Sequence, residues 1–231
     1  MQRIMEPIFE IGYLLFAFIA GGILLRYYYK NRDVKVLLLA VMTLLLGAGD
    51  AFHLIPRMIG LLGDGLDNHV FSLGLGKLVT SVTMTVFYVL FYFFFVKLFD
   101  KKDTRTLTIA FLALAIIRIA FLTLPQNGWF EKEPSFLFAI LRNIPFLLLG
   151  ALFIVLSFIW ARKDECFRWT YLLVFFSFLF YMGTVIFAPT IPLLGLLMLP
   201  KTVCYILIIV SALRYAKRAD DAALPDNGSQ N

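Results

Sequence analysis

Residues 36–56 read VLLLAVMTLLLGAGDAFHLIP, and the first 14 of these 21 residues are uncharged. A helix that crosses a bilayer needs about 20 mostly apolar residues, so this stretch is long enough to cross one. Its two ionisable residues, Asp50 and His53, are three positions apart and therefore share one helix face. The stretch predicts a transmembrane helix with a polar site near one of its ends.

Six further stretches have similar length and apolar character, which makes seven predicted transmembrane spans. None alternates polar and apolar residues as the strands of a membrane β-barrel do. We therefore expect an all-α, polytopic membrane protein built as a bundle of seven transmembrane helices. The other six spans are predicted at 7–25, 72–96, 106–124, 136–160, 169–188 and 191–213.

The composition of the whole chain agrees with this architecture. Of its 231 residues, 61% are hydrophobic and 16% are charged, and the mean hydropathy is +0.87. Soluble domains are typically about 45–50% apolar and about 25% charged, so an ordinary soluble enzyme, a disordered chain and a disulfide-stapled module are excluded. The net charge of +6 is attributed to membrane topology, and no nucleic-acid partner is expected.

The positions of lysine and arginine predict the direction of insertion, because cytoplasmic loops are enriched in these residues. Here 14 basic residues flank one end of the predicted spans, whereas only Arg3, Arg57 and Lys132 lie at the other end. The N-terminus is therefore predicted outside the cell and the C-terminus in the cytoplasm of a multi-pass plasma-membrane protein. The 14 residues are Arg26, Lys30, Arg32, Lys35, Lys97, Lys101, Lys102, Arg105, Arg162, Lys163, Arg168, Arg214, Lys217 and Arg218.

The sequence predicts one seven-helix transmembrane domain, 1–218, followed by a disordered cytoplasmic tail, 219–231. We expect no soluble catalytic or kinase domain, so a sensor of this kind would need a separate signalling partner. Membrane lipids are the other expected partners, and association into a homo-oligomer is left open. No motif identifies a cofactor, so the cofactor stays unknown.

Six charged side chains fall inside the predicted spans, where a charge near the bilayer centre costs about 2.5–3.5 kcal/mol on insertion scales. Two of them, Glu10 and Asp50, are acidic, and Arg57 adds a further base at the outer rim. The rise per residue of a helix places all six in the outer half of the membrane or at its midplane. The basic ones are Lys77, Arg118, Arg142 and Lys201.

Spacing along the helices predicts that several of these side chains point the same way. Asp50, His53 and Arg57 follow an i, i+3, i+7 pattern, which places them on one face. Lys201 and Tyr205 are four residues apart and share a face of the seventh span. These shared faces predict that the charges line a common interior space.

Two prolines are expected to interrupt helices close to the buried bases. Pro200 directly precedes Lys201, and Pro145 lies just after Arg142 and Asn143. A proline inside a helix removes one backbone hydrogen bond and kinks the helix. Each kink would free backbone groups at the depth of the charged residues.

The charges inside the spans sum to +2, or to +3 with Arg57. A shared cavity would therefore hold excess positive charge, which a phosphate, a carboxylate or a lipid headgroup satisfies. The leading hypothesis is an outward-facing cationic cavity that binds, and in one version transports, an anionic small molecule or lipid headgroup. The predicted ligand-binding residues are Arg118, Arg142, Lys201, Lys77, Arg57, Asn143, Tyr205 and Glu10.

Two other functions stay open. An intramembrane hydrolase acting on a lipid or amphiphile would use Asp50 and His53 as its acid–base pair. Seven spans with Lys201 in the last one also resemble microbial rhodopsins, which implies a sensor or photoreceptor that holds retinal on this lysine. In that family carboxylate counterions lie nearby, whereas span three of this chain has none. With only His53 and His69, a three-histidine zinc site is excluded within one chain, and no metal site is expected.

Purely structural roles are the alternative for the charged residues. Lys77, Arg142 and Glu10 are close enough to the membrane surface for their side chains to reach it. Asp50 is placed to form a local pair with His53 or Arg57. In this interpretation the charges are neutralised separately, and no shared cavity exists.

Overall fold

The structure is a computed structural model and describes residues 2–63 and 65–223. All regular secondary structure in this part of the chain is helical. Seven helical stretches within it are long and apolar enough to cross a membrane, which confirms the predicted all-α class and the number of spans. Most of the predicted tail, residues 224–231, lies outside the described residues.

The helices follow the predicted spans within a few residues at most boundaries. Short 3₁₀ helices at Leu66–His69, Pro125–Asn127 and Pro192–Leu197 lie in the connections. The α-helices of the described residues are α1 (Gln2–Asn31), α2 (Val34–Leu62), α3 (Val70–Leu98), α4 (Arg105–Leu122), α5 (Phe136–Leu141), α6 (Ile144–Ala161), α7 (Thr170–Phe187) and α8 (Met198–Ala223).

Three of the seven stretches are not continuous α-helices. The third, Leu66–Leu98, begins with the 3₁₀ helix Leu66–His69. The fifth is divided into α5 and α6 at Arg142 and Asn143, as expected from the proline that follows. The seventh starts as a 3₁₀ helix and becomes α-helical at Met198, so Pro200 and Lys201 lie in the first turn of α8. The sequence predicted a kink at Pro200 inside a longer helix. Instead, the α-helix begins just before this proline, which is tolerated in a first turn.

The last helix is longer than the sequence predicted. α8 continues to Ala223, so residues 219–223 of the predicted tail are helical. Asp220 in this extension accepts hydrogen bonds from the side chains of Lys30 and Asn31, both at 2.9 Å. These contacts attach the last turns of α8 to the end of α1.

Short connections make most helices that follow each other in sequence antiparallel neighbours in the bundle. Asp33 caps α2 by accepting a hydrogen bond from the backbone N–H of Lys35 at 2.8 Å. α1 packs against α2 and α8, α2 against α3, and α7 against α6 and α8. α3 and α4 both contact α6, which closes the bundle around a common interior.

The loops rich in lysine and arginine meet at one end of the bundle. Lys30 forms an ion pair with Asp220 at 2.7 Å, and Arg218 forms one with Glu165. We call this the basic end and the opposite one the cavity end. The basic end comprises the connections 32–33, 99–104 and 162–169.

α2 and α3 approach each other closely at Gly76. A Cβ added there would collide with the backbone of Phe52 and His53 on α2. Small residues allow membrane helices to pack at such short distances. The contact holds His53 next to the turn of α3 that carries Lys77.

Aromatic side chains fill the interior toward the basic end. Phe91 and Phe95 of α3 are at most 1% exposed. Their ring centroids lie 4.7 Å and 5.3 Å from that of Phe153 on α6. The first half of α3, which carries Lys77, instead borders a cavity, so the interior has one apolar and one polar half.

Candidate functional site

A cavity of about 600 Å³ lies toward the cavity end of the bundle. It is bounded by α1, α2, α3, α4, α7, the break between α5 and α6, and the start of α8. Five basic side chains line it, together with His53 and one carboxylate, Glu6. This volume is typical of sites that hold small organic ligands. The five basic residues are Arg57, Lys77, Arg118, Arg142 and Lys201.

The five cations come from five different segments of the chain. Arg57 lies on α2, Lys77 on α3, Arg118 on α4, Arg142 at the α5–α6 break and Lys201 on α8. The sequence predicted that these side chains share one interior space, and the structure places all five around one cavity. Among the five, Arg57 alone is paired with carboxylates of the described residues.

Arg118 is the most deeply buried of the five, with 1% of its surface exposed. Its guanidinium carbon lies 3.2 Å from the ring centroid of Phe146, a cation–π contact. Its Nε and Nη1 atoms are buried without a hydrogen-bond partner, and no carboxylate of the described residues forms an ion pair with it. A buried cation is costly unless it is paired, and an anion in the cavity would pair with it.

Arg142 follows the last residue of α5 and lies over an aromatic ring. Its guanidinium carbon is 4.0 Å from the ring centroid of Trp129, and its Nη1 donates a hydrogen bond to Asn127 Oδ1 at 3.1 Å. These contacts fix the side chain without neutralising its charge. Since α6 begins two residues later, the positive end of its helix dipole also lies near the cavity.

Asn143 was predicted to bind the ligand, but it does not line the cavity. Its side chain is 2% exposed, and its Nδ2 donates to the Ala139 carbonyl at 2.8 Å. Its Oδ1 accepts a hydrogen bond from the Tyr181 hydroxyl at 2.9 Å. Both polar atoms of the Asn143 side chain are therefore hydrogen-bonded within the protein, and they stabilise the break between α5 and α6.

Lys201 on α8 and Lys77 on α3 also line the cavity. Lys201 Nζ lies 5.6 Å and 5.5 Å from the ring centroids of Tyr181 and Tyr205. Tyr205, which was predicted at the site, lines the cavity, and its hydroxyl lies 3.0 Å from that of Tyr88. Within the described residues, neither lysine forms an ion pair with a carboxylate.

Arg57 differs from the other four cations because it has carboxylate partners. Its Nε donates to Glu6 Oε1 at 2.7 Å and lies 3.6 Å from Glu10 Oε1. The predicted local pair of Arg57 with Asp50 is therefore wrong, since α1 supplies the acids instead. Glu6 was not predicted from the sequence, because the first predicted span begins at residue 7. The spacing of four residues between Glu6 and Glu10, which places both on one helix face, could have indicated it.

Asp50 and Glu10 line a smaller cavity of about 50 Å³ that adjoins the large one. Asp50 Oδ2 accepts a hydrogen bond from the Tyr13 hydroxyl at 2.7 Å, and Asp50 interacts electrostatically with Lys201. Neither Asp50 nor Glu10 lines the large cavity. The two spaces share Glu6, His53, Arg57, Thr80, Met198 and Lys201.

His53 lies where both cavities meet. Its Nδ1 is buried without a hydrogen-bond partner, while Asp50 is engaged by Tyr13. Asp50 and His53 thus share a helix face, as predicted, but they do not form a hydrogen-bonded acid–base pair through Nδ1. Three cations surround His53 electrostatically, namely Lys77, Arg57 and Lys201.

Three hydroxyl groups that line the large cavity can accept hydrogen bonds from a ligand. Thr80, Ser81 and Thr184 each donate their proton to a backbone carbonyl, at 2.9, 2.7 and 3.0 Å. Their oxygen lone pairs are then what they present to the cavity. Cationic donors and hydroxyl acceptors together suit an anion that also carries hydroxyl groups.

Charge is unevenly distributed over the two cavities. Five cations and three carboxylates, namely Glu6, Glu10 and Asp50, line them, which leaves +2. The acids lie on α1 and α2, near Arg57 and Lys201. Lys77, Arg118 and Arg142 have no carboxylate partner among the described residues. The excess positive charge is therefore carried by these three residues.

Comparisons of the chain with protein-family models, with curated proteins and with solved structures found no match.

Proposed function

We propose that this is a membrane protein whose large cavity binds an organic anion with a phosphate or carboxylate group. The anion is either a free small molecule or the headgroup of a lipid. The observation that carries the proposal is Arg118, a buried guanidinium beside the cavity with two nitrogens that lack partners. Arginine binds both kinds of anionic group through directional, charge-assisted hydrogen bonds.

The size and walls of the cavity favour an organic anion over a simple inorganic one. At about 600 Å³ the space is far larger than a phosphate ion requires. Trp129, Phe146 and Tyr181 supply aromatic surface, and three hydroxyls supply acceptors. The ligand would place its charged group against Lys77, Arg118 and Arg142 and its hydroxyl-bearing or apolar part against these walls.

The proposed orientation has the N-terminus outside, the basic end in the cytoplasm and the cavity end facing outward. The excess of lysine and arginine at the basic end supports it. The buried aromatic residues between the cavity and the basic end, such as Phe91 and Phe153, separate the ligand from the cytoplasmic side. Binding is thus the primary proposal, and transport across the plasma membrane would require a rearrangement of this aromatic region.

The two alternative functions have less support. A hydrolase would need an acid–base pair exposed to its substrate, whereas Asp50 lines only the small cavity and bonds Tyr13. A protonated retinal Schiff base on Lys201 would keep that residue's positive charge in a space lined by four other cations. Excess positive charge disfavours such a chromophore and favours an anion.

The test is thermal unfolding of the purified protein in neutral detergent with a panel of probes. The panel contains inorganic phosphate, glycerol phosphate, lysophosphatidate, benzoate and neutral glycerol. At 100 times its dissociation constant a ligand stabilises by about 2.7 kcal/mol, so a binding anion raises Tm by several degrees. Stabilisation by glycerol phosphate indicates a free small molecule, and stabilisation by lysophosphatidate alone indicates a lipid headgroup.

The matched variants are Arg118→Gln, which removes the buried cation, and Arg105→Gln, which removes an exposed one at the start of the same helix. We expect Arg118→Gln to weaken the binding of the best anion at least about tenfold, since hydrogen bonds to charged groups contribute about 1.5–3 kcal/mol. Arg105→Gln should respond as the wild type does. If no anion stabilises the wild type more than Arg118→Gln, the proposal is wrong.

A further inference from the structure

Glu10 is the least well compensated acidic residue around the two cavities. It is 5% exposed, and its Oε2 is buried without a hydrogen-bond partner. Its only ion pair among the described residues is with Arg57 Nε at 3.6 Å. The same nitrogen lies closer to Glu6, at 2.7 Å, so one guanidinium serves two buried carboxylates.

This arrangement leaves one negative charge that the protein does not balance locally. A buried carboxylate without a full counter-charge is destabilised, and binding a proton removes the charge. The groups that face Glu10 come from its own helix and from the two helices packed against it, α2 and α8. They are Glu6 and Tyr13 on α1, Asp50, His53 and Arg57 on α2, and Lys201 on α8.

The other titratable groups in this set are better compensated. Asp50 accepts a hydrogen bond from Tyr13 and interacts with Lys201. His53 lies among three cations, which oppose a further positive charge. Glu6 Oε2 is also buried without a partner, but Glu6 Oε1 accepts hydrogen bonds from both Nε and Nη2 of Arg57, at 2.7 and 2.5 Å. Glu10 is therefore the group whose proton occupancy responds most to a change in nearby charge.

An anion in the large cavity causes such a change. Arg57 and Lys201 line both cavities, so they would interact with the anion as well as with the carboxylates. Their attraction toward the anion weakens the compensation of Glu10, and the anion itself repels an ionised Glu10. Both effects favour the protonated carboxyl.

We propose that Glu10 is a proton-binding site coupled to the anion site, so that the anion and a proton bind together. The inference rests on the proposed function, because it needs an anion in the large cavity. Coupling between two sites is reciprocal. If the anion promotes protonation of Glu10, protonation of Glu10 must tighten binding of the anion, and the anion binds more weakly as pH rises.

The test uses phenyl sulfate, whose charge is constant over the pH range of interest. Titration calorimetry of the full-length protein at neutral pH, in two buffers of different ionisation enthalpy, measures the protons taken up on binding. We expect an uptake that approaches one proton per anion in the wild type. The dissociation constant should then rise by up to about tenfold per pH unit where Glu10 titrates.

Glu10→Gln mimics the protonated carboxyl, so it should bind phenyl sulfate without proton uptake and with little dependence on pH. Glu10→Asp restores a carboxyl and should restore the dependence. The exposed variant Glu133→Gln, outside both cavities, should behave as the wild type. A wild-type pH slope retained in Glu10→Gln, or no proton uptake in the wild type, overturns the inference but leaves the anion site standing. If the wild type binds neither phenyl sulfate nor any anion of the thermal-unfolding panel, at any pH, both proposals are overturned.

Discussion

Arg118 lies 13 residues into α4, on a helix whose other residues are almost all apolar. Its isolation in an apolar span was visible in the sequence, and intramembrane charges are rare and commonly functional. The sequence did not reveal that Phe146 packs on its guanidinium or that two of its nitrogens lack partners. Those facts depend on the packing of α4 against α6.

Replacing Arg118 with methionine should separate its cost to stability from its role in binding. Methionine fills much of the same volume without an unpaired charge, and such replacements are often neutral or stabilising by about 1–4 kcal/mol. We expect Arg118→Met to unfold at a temperature at least as high as the wild type in anion-free buffer. Organic anions should no longer raise that temperature.

Thermal unfolding with and without the best anion measures both effects. Arg105→Met, at the exposed start of α4, is the control for added apolar surface. A marked loss of stability in anion-free Arg118→Met would mean that the guanidinium mainly holds the fold together.

The break between α5 and α6 is the element that positions Arg142 at the cavity. Its existence could be predicted from Pro145, since proline disrupts a helix interior. Its support could not be predicted, because the Tyr181–Asn143 hydrogen bond joins residues 38 positions apart in sequence. The same limit made Asn143 look like a ligand-binding residue, although it stabilises the segment that carries Arg142.

Disrupting the Tyr181–Asn143 hydrogen bond should make the α5–α6 break more mobile and leave the rest of the bundle intact. Tyr181→Phe keeps the ring near Lys201 but removes the donor to Asn143 Oδ1, at a cost of about 1–3 kcal/mol for the buried acceptor. Asn143→Ala removes the other partner. We expect both variants to bind the anion more weakly than the wild type, because Arg142 loses its fixed position.

The free energy of unfolding of the double variant measures the link between the two residues. If they act through one hydrogen bond, Tyr181→Phe and Asn143→Ala together cost less than the sum of the single changes. Strict additivity of the two free-energy changes, with unchanged anion binding in both single variants, would show that this hydrogen bond does not position Arg142.

For the whole molecule, the seven helical stretches that are long and apolar enough to cross a membrane were predictable, because a spanning helix must satisfy every backbone polar group internally and be apolar over its length. The ends of the helices were less predictable where the terminal residues are polar. Glu6 was missed, and residues 219–223 were placed in a tail because the contacts of Asp220 with Lys30 are long-range. Helix spacing predicted the shared faces, but only the packing of the helices brings those faces together around one cavity.

The separation of charge is also a property of the whole bundle. Acids on α1 and α2 lie near Arg57 and Lys201, while Lys77, Arg118 and Arg142 have no carboxylate partner among the described residues. The sequence gives the net charge, and only the arrangement of the helices decides which cations stay unpaired. That arrangement is the basis of the proposed anion site.

An experimental structure of the protein with bromophenyl sulfate tests the central claim most directly, because anomalous scattering from bromine locates the ligand. We predict that the sulfate group lies between Lys77, Arg118 and Arg142, with the bromophenyl ring against the aromatic wall. The ligand signal should be absent from Arg118→Gln crystals grown under the same conditions. A bromine signal outside the cavity, or an Arg118 guanidinium paired with a protein carboxylate, would contradict the proposed anion site.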